Sequence, residues 1–174
     1  FGHRHAPAQG ASTQHGGVDI RAKEGTEIFA AAPGRVVRNF FDPKGGGNVI
    51  TLEHYDEHGK VVGYTQYLHQ QTRSPLKEGQ WLSRGDVVGH VGHTGVGSGA
   101  HLHYEEWKAK PGAKPLDVDG NRDTVRDGGF KHQAERTNPE ANALGFALTP
   151  AERAAKQAAL AKGMTESQAL KSVP

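Results

Sequence analysis

The chain has 174 residues, 34% of them hydrophobic, and a formal net charge of +2, which suits one globular domain with a single core and is too little for two. Cysteine is absent, which excludes a disulfide framework and any thiolate metal site, and the 24 glycines favour a turn-rich β domain over a helical one. The Lys and Arg residues form no block interleaved with aromatics, so nucleic acid is not an expected partner, and no apolar run approaches the roughly 18 residues of a membrane span.

The chain opens on Phe1, within FGHR, with no recognisable export signal. Something is read as having been removed upstream, and the few residues before His15 make a built-in N-terminal plug unexpected. From about Asp19 to Tyr104 the pattern is short β-type runs: TEIFAAA, GRVVRNFF, NVITLEHY, KVVGYTQYL, QWL, DVVGHV and HLHYEEW. Breaker clusters separate them at Pro33-Gly34, Lys44 to Gly47, His58-Gly59 and Arg84-Gly85-Asp86, as expected of an antiparallel β architecture. Residues 108–148, with AKPGAKP, DVDGNRD and RDGGF, read as a loop-rich extension of the same domain as the core at 1–107. Thr149-Pro150-Ala151-Glu152 supplies an N-cap, a first-turn proline and an acidic third helical residue, predicting a helix to about Lys162 that Gly163 ends. A second short helical turn is expected at Thr165–Leu170, completing a C-terminal tail at 149–174.

Two short motifs carry chemistry. HGGVD contributes His15 and Asp19, and GSGAHLHYE contributes His101 and His103. Neutral imidazole and carboxylate are what zinc takes from a protein, and a catalytic site uses three such ligands and keeps a fourth position open. Residues two apart on a strand point to one face, so His101 and His103 can look into one cleft. Gly16 and Gly17 allow the tight backbone that brings His15 and Asp19 to one ion. A His/His/Asp set without thiolate selects zinc first, with cobalt, manganese or nickel as substitutes.

These motifs do not stand alone. FGHR, HGGVDI, AAAPGRVV, GGGNVITLEH, YTQYLHQ and LKEGQWLSRGDVVGHVGHTGVGSGAHLHYE follow one another in an order and spacing that resembles the lysostaphin/LytM-type zinc endopeptidases, which cut peptide cross-links in bacterial cell walls. The resemblance covers residues 1–107. It implies a mainly β fold, an open antiparallel sheet with the zinc in a groove across it. It implies one zinc per chain on His15, Asp19 and His103, with His69 and His101 as active-site histidines that are not ligands. Peptidoglycan peptides are then the substrate and the site of action lies outside the cytoplasm, in wall remodelling, phage lysis or interbacterial attack. D-alanyl–diaminopimelate cross-links are favoured over glycine bridges, because no wall-targeting domain is attached. Ala100 stands where many members have proline and Gln70 where many have leucine; neither is a ligand.

Within that reading His101 is the general base and His69 assists at the developing oxyanion, roles worth on the order of 10²–10⁴-fold in rate. Arg4 is a candidate fork for a substrate carbonyl or carboxylate. Tyr67, two residues before His69, is expected on the same strand face and at the border of the site, whereas Tyr104 is expected in the core. Trp81 and Trp107 are expected to pack, and the remaining histidines, His54 among them, carry no assigned role. The loop GHTGVGSGA lacks the GK[ST] ending of a phosphate loop; its glycines are expected to let a peptide approach the metal. A regulatory module of the same fold would lack ligands, and none is missing. A cupin-like enzyme would leave His15 and Asp19 unexplained and places Glu105 too close to the second histidine.

Overall fold

A computed structural model describes residues 2–3, 14–118 and 129–173. The strands are β1 (Gly2–His3), β2 (Gln14–His15), β3 (Val18–Arg21), β4 (Glu27–Phe29), β5 (Gly34–Asp42), β6 (Gly47–Tyr55), β7 (Val61–Gln70), β8 (Trp81–Leu82), β9 (Val87–His90), β10 (His101–Ala109) and β11 (Ala134–Thr137). Two helices follow, α1 (Pro150–Ala161) and α2 (Glu166–Lys171).

The main sheet has the order β11-β10-β7-β6-β5-β8, with β3 added on β10; all these pairs are antiparallel. Its long strands are rich in Val, Ile, Tyr and Phe, which fit a pleated surface buried on both sides. The turns are set by side chains. Asp42 accepts the backbone N–H groups of Lys44 and Gly46, and Asp56 accepts those of His58 and Lys60, the local bonding that makes aspartate a turn residue.

Residues opposite one another across strands share a face, so register sorts the core into two clusters. One face carries Val36, Leu52, Ile50, Tyr67 and Leu102, closed by Ile28 and Val88 from the β4–β9 pair and by Val91 just beyond it. The other carries Tyr64 and its register partner Trp107, covered by Phe130. Tyr64 stacks on Phe130 at 4.5 Å between ring centroids.

The region expected to be loop-rich differs from that expectation. Ala134–Thr137 pairs with Glu106–Ala109 of β10 and becomes the sheet's edge. Only the first of its four residues is buried, so no alternation marks it as a strand. The free edge of β10 decides its conformation. The tail forms as read from the sequence: Thr149 and Glu152 make a reciprocal capping box on α1, and Thr165 and Gln168 make another on α2. Ser167 Oγ donates to the Gly85 carbonyl at 2.6 Å and Lys171 Nζ meets Asp86 at 2.5 Å, which ties α2 to the β8–β9 turn.

Candidate metal centre

The site is built where the two glycine-flanked motifs meet on the sheet. Asp19 of β3 is the register partner of His103 of β10, and His103 is in turn the partner of Leu68 of β7, so these side chains lie in one row on one face. A Cβ on Gly17 would stand 2.1 Å from the Tyr104 carbonyl oxygen. Gly17 is therefore needed for close approach of β3 to β10.

Three donor atoms converge. His103 Nδ1 lies 2.7 Å from Asp19 Oδ1, His15 Nε2 lies 2.9 Å from the same oxygen, and the two nitrogens are 3.1 Å apart. Tetrahedral zinc with bonds of about 2.0 Å spaces its donors about 3.3 Å apart. The observed spacings are shorter than that by about 0.2 to 0.6 Å, which small side-chain shifts would open, and the N/N/O set suits the borderline-soft ion, so these residues fit it. Burial pushes the Asp19 carboxyl up, but hydrogen bonds from His103 and His15 outweigh it and hold the carboxyl well below the usual carboxylate range.

Two further histidines flank the donors. His69 Nδ1 lies 2.7 Å from the Thr94 carbonyl oxygen and His101 Nδ1 lies 2.9 Å from that of Gly99. A carbonyl only accepts, so each Nδ1 carries the proton and each neutral ring keeps a lone pair on Nε2. His101 Nε2 is 3.8 Å from Asp19 Oδ1, and the two rings are 4.8 Å apart. Burial lowers the pKa of His69 and favours its neutral form.

His69 reaches this face by an irregular route. Its φ is 60°, a left-handed conformation that costs a non-glycine residue about 1 kcal/mol or more. Alternation along β7 would otherwise send it to the face of Tyr67. The Gly46 carbonyl accepts the His69 N–H at 2.7 Å, and Thr94 fixes the neighbouring turn by accepting from Asn48 N and donating to the Gln70 carbonyl.

Tyr67 is accordingly not at the border of the site. It is 1% exposed on the opposite face, where its hydroxyl accepts from Ala31 N at 2.9 Å and lies 3.3 Å from Thr65 Oγ1. Thr65 Oγ1 is 2.8 Å from His54 Nε2, and His54 Nδ1 donates to the Pro33 carbonyl. The two hydroxyls and the neutral ring thus form one continuous buried run. Tyr104 packs with Tyr67 at 5.4 Å. Trp107 is buried as expected, but Trp81, on the two-residue edge strand β8, is 64% exposed and leans on Tyr55. Arg4 lies outside the described residues.

Residues that the sequence reading did not assign support the site's histidines: Glu105, Arg136 and Thr94. Glu105 Oε1 is 3.1 Å from His103 Nε2, the nitrogen turned away from Asp19. The other Glu105 oxygen accepts from Trp107 Nε1 at 2.9 Å, and Arg136 closes the cluster, its guanidinium 4.6 Å from the Trp107 ring. Alternation on β10 puts Glu105 on the face of His103, so its position was legible. Thr94 acts through a backbone carbonyl, for which no side-chain pattern exists. Beyond His103 a groove of about 370 Å³ continues along the sheet, lined by Phe41, Gln66, Leu68, Glu105, Lys131 and Arg136 among others.

A curled antiparallel sheet thus bears a His/Asp/His donor set beside two further histidines, an arrangement suited to a metallopeptidase. The pattern of peptidase family M23 matches residues 13–118, and the chain belongs to that family. It is 35% identical over 99 residues to the peptidoglycan DD-endopeptidase ShyC of Vibrio cholerae, covering 57% of this chain and 21% of that protein. It is 38% identical over 106 residues to the DD-carboxypeptidase/endopeptidase Mpg of Neisseria meningitidis, covering 60% and 23%. Among solved structures it is similar to the catalytic domain of lysostaphin from Staphylococcus simulans, with a TM-score of 0.52 and 29% identity over 62% of this chain and 77% of that one. It is also similar to the catalytic domain of the prophage-encoded M23 protein EnpA from Enterococcus faecalis, with a TM-score of 0.53 and 28% identity over 70% and 86%. The chain spans about a fifth of the length of the curated relatives it matches. Among the described residues no helix is long and apolar enough to cross a membrane.

Proposed function

We propose that this chain is a zinc-dependent endopeptidase that hydrolyses peptide cross-links of bacterial peptidoglycan, acting outside the cytoplasm where that polymer lies. The convergence of His15, Asp19 and His103 within 4.8 Å of one another carries the reading. One zinc per chain would be held by these three, with Glu105 orienting His103 from behind. When bound, the ion lowers the pKa of a water and polarises the scissile carbonyl.

The chain's own residues supply the rest. His101 Nε2, free of a proton and facing Asp19, takes the proton of the attacking water. His69 assists: its neutral ring accepts at Nε2 the second proton of the attacking water, and the leaving amine takes up one of the two protons so collected. The peptide reaches from the donors into the neighbouring groove lined by Leu68, Glu105 and Arg136. Relatives named DD-endopeptidase, at 35–38% identity, support D-alanyl–diaminopimelate cross-links over glycine bridges.

The test is zinc stoichiometry by elemental analysis together with clearing of purified sacculi, repeated for His103→Ala. One zinc per chain and clearing that the variant loses are expected. Failure of the wild type to bind zinc would sink the reading, and release of glycine-bridge fragments alone would overturn the bond assignment.

A further inference from the structure

The groove beside the metal donors, about 370 Å³, has aromatic rings on one side and cations on the other. Phe40 and Phe41 of β5 form the first, and Lys131 and Arg136, at the β10–β11 edge of the sheet, form the second. Both cations gather around one indole. Lys131 Nζ lies 5.7 Å and Arg136 Cζ 4.6 Å from the centre of the Trp107 ring, and Trp107 shares the strand face of Glu105 and His103. The Arg136 fork also reaches the HGGVD motif. A Cβ on Gly16 would stand 2.2 Å from its Nη1, so the guanidinium lies against the backbone next to His15.

The carboxylates of this groove are already committed. Asp42 holds its own turn through the N–H groups of Lys44 and Gly46, and Glu105 serves His103, Trp107 and Arg136. The cations are not saturated in return. Lys131 is exposed and pairs with no carboxylate among the described residues. Arg136, its side chain 35% exposed, meets Glu105 through Nη2 at 3.3 Å. A guanidinium has five N–H donors in a fork that matches a carboxylate, so donors remain for a second one. Two cations side by side in a cleft raise the local concentration of an anionic ligand.

We propose that Lys131 and Arg136 form a carboxylate subsite that selects the diaminopimelate side of the cross-link, an inference that rests on the endopeptidase reading above. In a D-alanyl–diaminopimelate cross-link the carbon that bears the scissile nitrogen also bears a free carboxylate. An anion therefore accompanies the bond at a fixed short distance. A glycine bridge carries none at that position. With the scissile carbonyl at the metal donors and the diaminopimelate side in the groove, this carboxylate meets the Arg136 fork and the Lys131 point charge. Both residues lie beyond the family-matched residues 13–118, so the segment that follows the matched core carries the selectivity.

The test uses the full chain carrying His101→Ala, with and without zinc, so that substrate binds and is not turned over. Calorimetry compares a muropeptide dimer cross-linked through D-alanyl–diaminopimelate with the same dimer whose diaminopimelate carboxylates are amidated. The acid dimer should bind about tenfold more tightly whether or not zinc is present, and added salt should narrow the difference. Lys131→Gln should cut this preference about fivefold and Lys131→Glu should reverse it; both changes fall on an exposed residue. Equal binding of the two dimers overturns the subsite, as does a preference that both Lys131 variants leave intact, or absence of binding by either dimer. Acid-selective binding by a chain that takes up no zinc and clears no sacculi would sink the endopeptidase reading and leave the subsite standing.

Discussion

Glu105 and His103 form a carboxylate–imidazole pair in which Oε1 stands 3.1 Å from Nε2 while the opposite ring nitrogen faces Asp19. Such a partner fixes the tautomer and the ring orientation of a ligand and raises its basicity. Glu105→Gln should weaken zinc about 10–100-fold in a chelator competition. Because glutamine retains an acceptor for Trp107 Nε1, the metal-free protein should unfold within a few degrees of wild type. Undiminished zinc affinity would remove Glu105 from the supporting shell.

His101 and His69 each present Nε2 after tying Nδ1 to a carbonyl. Alanine at either position should lower kcat about 10²–10⁴-fold with zinc content retained, as general acid–base contributions do. Steady-state cleavage of cross-linked muropeptide dimers, with metal analysis on the same samples, checks this. Wild-type turnover in His101→Ala would transfer the base role to His69.

Tyr67 belongs to the core. Tyr67→Phe leaves the Ala31 N–H without its acceptor and should cost about 1–3 kcal/mol of stability. Zinc affinity and turnover should stay at wild-type values, and a selective loss of turnover would return Tyr67 to the substrate side. Denaturant unfolding, zinc titration and rate measurement on one preparation separate these outcomes.

His54 gives the fold a pH dependence. Burial depresses its pKa from 6.5 to about 4, although the Pro33 carbonyl opposes this. Between those values the unfolded chain takes up a proton that the folded chain refuses, so stability falls as pH drops from about 6.5 to 4 and this loss levels off below 4. The contribution reaches about 3 kcal/mol at most by linkage. In metal-free protein, His54→Gln should flatten this part of the melting-temperature profile, although the variant is less stable overall. Parallel wild-type and variant profiles would contradict a buried neutral His54.

The strands and helices were readable because their signals are local: alternating β-branched residues between glycine turns, and a capping box at Thr149 and Glu152. The convergence of His15, Asp19 and His103 was anticipated through their motifs. What could not be read depends on partners distant in sequence. Tyr67 and His69, two apart on a strand, were expected on one face, and a single left-handed residue at His69 separates them. Trp81 looked like a core residue by type, but a two-residue edge strand has only Tyr55 to offer it. The strand at Ala134–Thr137 has no hydrophobic alternation, and only the open edge of β10 makes it one.

That edge is occupied end to end by two visitors from opposite ends of the chain. β3 covers His101–Tyr104 and β11 covers Glu106–Ala109. A protein cut after residue 118, at the limit of the family match, would keep the metal donors and lose the second visitor. Four residues of β10 would then present bare N–H and C=O groups and uncover Trp107, an invitation to edge-to-edge association. The smallest piece that keeps the donors is thus shorter than the smallest piece that keeps β10 paired along its length, and expression boundaries are better drawn beyond Thr137.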